Sequence, residues 1–65
     1  MARWFTAECV DNEGNFEVEV SRRAGSIYMW KSGKGEFICP PQVKSQDQVK
    51  YEVELRYECT VVRIR

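Results

Sequence analysis

Apolar and polar residues alternate one for one along the last quarter of the chain. Val49, Tyr51, Val53, Leu55, Tyr57, Cys59 and Val61 take every second position, and Lys50, Glu52, Glu54, Arg56, Glu58 and Thr60 fill the gaps. A period of two sets the rows on opposite faces of a β-strand. The phase then flips. Val62 and Ile64 are apolar where the charged row should continue, and Arg63 and Arg65 are charged where the apolar row should continue. A straight strand from Val49 to Arg65 would run roughly 55 Å. A chain of this size is only about 28 Å across. The pattern therefore predicts a long last strand, bent near Val61–Val62, where a β-bulge exchanges its faces.

The rest of the chain repeats the period in shorter runs. Arg3 to Val10 reads as a first strand, with Phe5, Ala7 and Cys9 on one face. Asp11-Asn12-Glu13-Gly14-Asn15 is dense in turn formers and predicts a five-residue hairpin loop. Phe16 to Ser21 follows, with Phe16, Val18 and Val20 inward and Glu17 and Glu19 outward. Arg22 to Ser26 turns the chain into a third strand, Ile27 to Lys31. Both faces of that strand are apolar: Ile27 and Met29 on one, Tyr28 and Trp30 on the other. Ser32-Gly33-Lys34-Gly35 is a turn, and Glu36 to Cys39 a fourth strand stopped by Pro40-Pro41. Gln42 to Gln48 is polar without alternation. It reads equally as a loop or as one helical turn begun at Pro41, too short for a long helix that then feeds the last strand.

The expected fold is all-β, a single domain over residues 1–65: a small five-stranded antiparallel sheet or barrel. Its expected core is Phe5, Val18, Val20, Ile27, Met29, Val53 and Leu55, with Cys9 and Cys59 nearby and reduced. A single sheet buries one face, so Ile27/Met29 or Tyr28/Trp30 needs further cover. A closed barrel leaves that pair outside, and a homodimer buries it.

Composition narrows the function. Lysine plus arginine number 10 and aspartate plus glutamate 10, so the formal net charge is zero, unlike a bulk polyanion binder. No apolar run approaches the ~20 residues of a membrane helix, so no membrane partner is expected. Residues 1–6 lack the apolar core of a signal peptide. The three cysteines, Cys9, Cys39 and Cys59, form no Cys-x-x-Cys pair, and the chain has no histidine. Small core thiols in a reducing cytoplasmic setting fit this best, with no metal or cofactor expected. Without histidine the commonest general base is missing, and no thiol has a partner to activate it. The chain is therefore expected not to be an enzyme.

The charge is unevenly spread. In residues 1–21, Arg3 stands against Glu8, Asp11, Glu13, Glu17 and Glu19. Residues 22–34 carry Arg22, Arg23, Lys31 and Lys34 and no carboxylate. This basic stretch also holds Tyr28 and Trp30, with Phe37 just beyond. The candidate binding residues are Arg22, Arg23, Tyr28, Trp30, Lys31, Lys34 and Phe37. Neutral net charge and an acidic first hairpin favour a protein-binding module, an inhibitor or adaptor, working through a sheet face and the hairpin 22–37. Cations beside aromatic rings supply the alternative, a β-barrel domain for single-stranded DNA or RNA. Gly33-Lys34-Gly35 lacks the spacing and following helix of a phosphate loop, and reads as a turn.

Overall fold

The computed structural model describes residues 2–65. Its elements run β1 Ala2–Asp11, β2 Gly14–Arg23, β3 Ser26–Lys31, β4 Gly35–Ile38, α1 Gln46–Tyr57 and β5 Thr60–Ile64. The five strands form one antiparallel sheet in the order β4-β3-β2-β1-β5. The sheet is open, so of the two expected architectures the sheet is present and the barrel is not.

The first four strands are a meander joined by short turns. Asp11 pairs with Gly14, so only Asn12 and Glu13 lie between the strands, a tighter turn than the expected five-residue loop. Asp11 Oδ1 accepts a 2.8 Å hydrogen bond from the Glu13 amide, which braces it. Between β2 and β3, Ala24 and Gly25 have φ of 51° and 80°. Two successive positive φ values match the right-handed twist of the flanking strands.

The long last strand is the main correction. Tyr51, Val53 and Leu55 lie on a helix of 12 residues, and only Thr60–Ile64 is strand. The alternating row served two helical stripes at once, because steps of four residues fit both periods. Val49 and Val53 point into the core and Tyr57 packs at its border, while Tyr51 and Leu55 point outward. Leu55 is 77% exposed, so it leaves the expected core. The intervening Lys, Glu and Arg residues are strong helix formers. Ser45 begins the helix with a capping box: its Oγ accepts from the Gln48 amide at 3.2 Å, and Gln48 Oε1 accepts from the Ser45 amide at 2.9 Å. Glu58 ends it in the left-handed conformation, φ 52°. Topology needs this helix. β4 and β5 lie on opposite edges, four strand spacings or roughly 19 Å apart, and a helix of this length spans about 18 Å.

The bulge expected from the phase flip is present. Cys9 pairs with Val61 and Glu8 with Arg63, so Val62 is the extra residue of β5. A second irregularity in β1, between Arg3 and Phe5, leaves Trp4 unpaired in the β2 register. Phe5, Ala7, Cys9, Val18, Val20, Ile27, Met29 and Val61 form the sheet's inner face. Val49 and Val53 cover it, and Cys39 and Val43 complete the cluster. Cys9 and Cys39 are buried and Cys59 is half-buried, all three as free thiols. Glu54 ties helix to sheet, its carboxylate accepting from the Val61 amide at 2.9 Å.

Candidate binding surface

Because α1 covers one face of the sheet, the other face is open, and strand register fixes what it displays. One cross-strand row reads Ile38, Tyr28, Ser21, Arg3. The next reads Glu36, Trp30 and Glu19, ending at the buried Thr6. Beyond them Glu17, Glu8 and Arg63 lie side by side. Three apolar side chains stand out in or beside this polar field: Trp30 is 42% and Ile38 56% exposed, and Val62, at the bulge beside Glu8 and Glu17, is 61% exposed. Arg3, Glu19, Ser21 and Trp30 line a shallow depression.

The charges around the rings are already paired. Arg23 Nη2 donates to Glu36 at 2.7 Å while its guanidinium stacks 3.9 Å over the Tyr28 ring. Arg3 approaches Glu19 at 3.6 Å. Glu8 accepts from Arg65 at 2.6 Å and from Arg63 at 3.2 Å, and Arg65 also donates to Glu17. The Arg65 hydrogen bond, supported by Arg63, holds the Glu8 carboxyl below its ordinary range. Each of these exposed pairs is worth little to stability. Together they leave the open face with few free cations.

The seven sequence-derived residues divide between the two sides of the sheet. Arg23, Tyr28 and Trp30 share the open face. Arg22 pairs with Ile27 on the helix side, its guanidinium 4.4 Å from the Trp4 ring. It does not frame Trp30. Lys31 also lies on the helix side, with Nζ 4.0 Å from the Phe16 ring and 5.9 Å from Tyr57. Phe37 packs edge-on to Tyr57 at 6.1 Å beneath the Arg56 guanidinium. Lys34, in the β3–β4 turn, joins Lys31 and Phe37 along a cleft completed by Arg56, Tyr57 and the carboxylates of Asp11, Glu13 and Glu58. Even positions on one strand and odd positions on its neighbour share a face only when register allows. Alternation along β3 already separates Lys31 from Trp30, but hairpin proximity in sequence could not place Arg22 and Phe37.

Arg3, Glu19, Ser21 and Ile38 belong to the Trp30 surroundings and were absent from the sequence-derived set. A partial signal existed for Glu19, whose alternation with Val18 and Val20 already placed it outward. Burial pushes the Cys9 thiol up to about 12 and raises Cys39 and Cys59 as well. Among the described residues no group of three or more His, Cys, Asp or Glu side chains gathers as a metal site, and no helix is long and apolar enough to cross a membrane. Compared with known proteins, the chain matches no family model, no curated protein and no solved structure.

Proposed function

We propose that this chain is a small, non-enzymatic protein-binding module, an inhibitor or adaptor, that engages its partner through the open sheet face with Trp30 as anchor. The observation that carries the reading is the half-exposed Trp30 ring, on the sheet face that no element among the described residues covers. Tryptophan contributes large contact area at low entropic cost and is enriched among residues that dominate binding energy. The partner would bring an apolar side chain to the depression beside Trp30, with polar groups facing the Arg3–Glu19 and Arg23–Glu36 pairs. Three unpaired thiols support a reducing, cytoplasmic setting.

The test compares the native chain with Trp30→Ala in affinity capture from the host, with a melting curve for each. Trp30→Ala should fold normally and weaken capture by ~2 kcal/mol or more. Unchanged capture by a folded variant would remove the open face from the reading. Sedimentation of the native chain decides whether a second copy, rather than a different protein, occupies the face.

A nucleic-acid reading ranks second. Its support is that Lys31, Lys34 and Arg56 form no ion pair among the described residues and stand beside the Phe37 and Tyr57 rings. Asp11, Glu13 and Glu58 line the same cleft and oppose a polyanion. Oligonucleotide affinity measured at two salt concentrations separates the readings. If phosphate binds there, Lys34→Ala reduces the salt slope by about one contact.

A further inference from the structure

The outward stripe of α1 carries large apolar side chains that nothing in the fold uses. Tyr51 is 71% and Leu55 77% exposed. They stand four residues apart, so they adjoin on one face of the helix. Asp47, one turn before Tyr51, is exposed, and so is Glu58 beyond Leu55. The ridge is thus an apolar pair with a carboxylate at each end, spread over about 16 Å of helix. Two of the nearby cations are directed elsewhere, Arg56 over Phe37 and Lys44 beside the β2–β3 turn, and Lys50 is half-buried and forms no ion pair among the described residues. Glu54 is held by the Val61 amide.

We propose that this ridge is a second docking surface, and that its occupant is a basic amphipathic helix of another protein. Ridges of one helix pack into the grooves of a second, which suits an apolar pair at four-residue spacing. The end charges select the partner: an apolar strip flanked by lysine or arginine is complementary to Asp47 and Glu58. They also disfavour a second copy. Two-fold pairing of ridge on ridge sets Asp47 against Asp47 when the helices run parallel and Asp47 against Glu58 when they run antiparallel. The ridge and Trp30 lie on opposite sides of the molecule, because the helix covers the sheet face that Trp30 does not occupy. One chain would then hold two partners at once.

The experiment titrates the isotope-labelled chain with a synthetic amphipathic helical peptide of leucine and lysine. A control peptide carries glutamate in place of every lysine. Amide signals around Tyr51 and Leu55 should shift with the lysine peptide, and the glutamate peptide should not bind. The double variants Tyr51→Gln/Leu55→Gln and Asp47→Asn/Glu58→Gln should each weaken binding by about tenfold or more. Both should keep the native fold by circular dichroism, since all four side chains are exposed. Trp30→Ala should bind this peptide as the native chain does, which separates failure here from failure of the open-face reading. Shifts confined to the open face or the first hairpin, equal affinity in the ridge variants, or self-association abolished by Leu55→Gln would each overturn the proposal.

Discussion

Val53 and Leu55 are two residues apart and equally apolar, and the helix sends them in opposite directions. Val53 is fully buried and Leu55 is 77% exposed. Val53→Ala deletes two buried methyl groups, worth roughly 1.6 kcal/mol in transfer free energy at ~0.8 kcal/mol each. The cavity left above the sheet adds to this, for an expected loss of about 2–3 kcal/mol. A domain of this size has only roughly 3–10 kcal/mol in total, so the variant should melt far earlier. Leu55→Ala removes little buried area and replaces a good helix former with the best one, so its effect should stay within about 0.5 kcal/mol. Urea melts followed by circular dichroism measure both, with the slopes compared to confirm that only stability has changed. A strand would bury Val53 and Leu55 on one face and make the two losses similar. Equal losses would therefore refute the helix and the outward ridge together.

Other perturbations probe different parts of the fold. Ser45→Ala removes the capping box and should cost about 1 kcal/mol, read from the same melts. Ala24→Asn puts a residue suited to positive φ into the β2–β3 turn and should add about 0.5–1 kcal/mol of stability. Burial raises the three thiols and the Tyr57 hydroxyl, so the unfolded chain loses these protons at lower pH than the folded one. That stabilisation is intact below the ordinary thiol range and falls as pH rises through it, toward about 12 for Cys9. Each thiol ionised only in the unfolded chain should contribute a slope of about 1.4 kcal/mol per pH unit. Cys9→Ala should flatten that alkaline limb.

The meander was legible because each strand buries one face and exposes the other, which writes burial directly into a period of two. Phe5, Val18, Val20, Ile27 and Met29 were readable as core for that reason, and Tyr28 and Trp30 as facing away from it. The Val62 bulge was legible too, since an extra residue must shift the phase. The helix was hidden by its own outward stripe. Had Tyr51 and Leu55 been charged, Val49, Val53 and Tyr57 would have shown a helical period without competition. The local signal that could have decided it was Ser45-Gln46-Asp47-Gln48, a serine followed three residues later by glutamine. The candidate site was half legible. Tyr28 and Trp30 were grouped correctly by their own strand, whose alternation also sends Lys31 to the other face, but Arg22 and Phe37 on β2 and β4 needed register with β3, and pairing between strands is not a local property.

The order of the elements also sets a sequence of events in time. β1 to β4 join through short turns, so each hairpin can form as soon as its residues are available. Pairing of β1 with β5 must wait for almost the whole chain: Glu8 meets Arg63 and Arg65 across 55 and 57 residues. Closing so long a loop costs entropy before any contact rewards it, and this slows folding. A chain whose meander formed before α1 docked would hold Phe5, Val18, Val20, Ile27 and Met29 open to solvent, with the β1 edge unpaired. Such a species would present the apolar surface and the unpaired strand edge that favour aggregation during synthesis and refolding. Mutations in α1 and β5 should therefore change the yield of folded protein more than its final stability suggests.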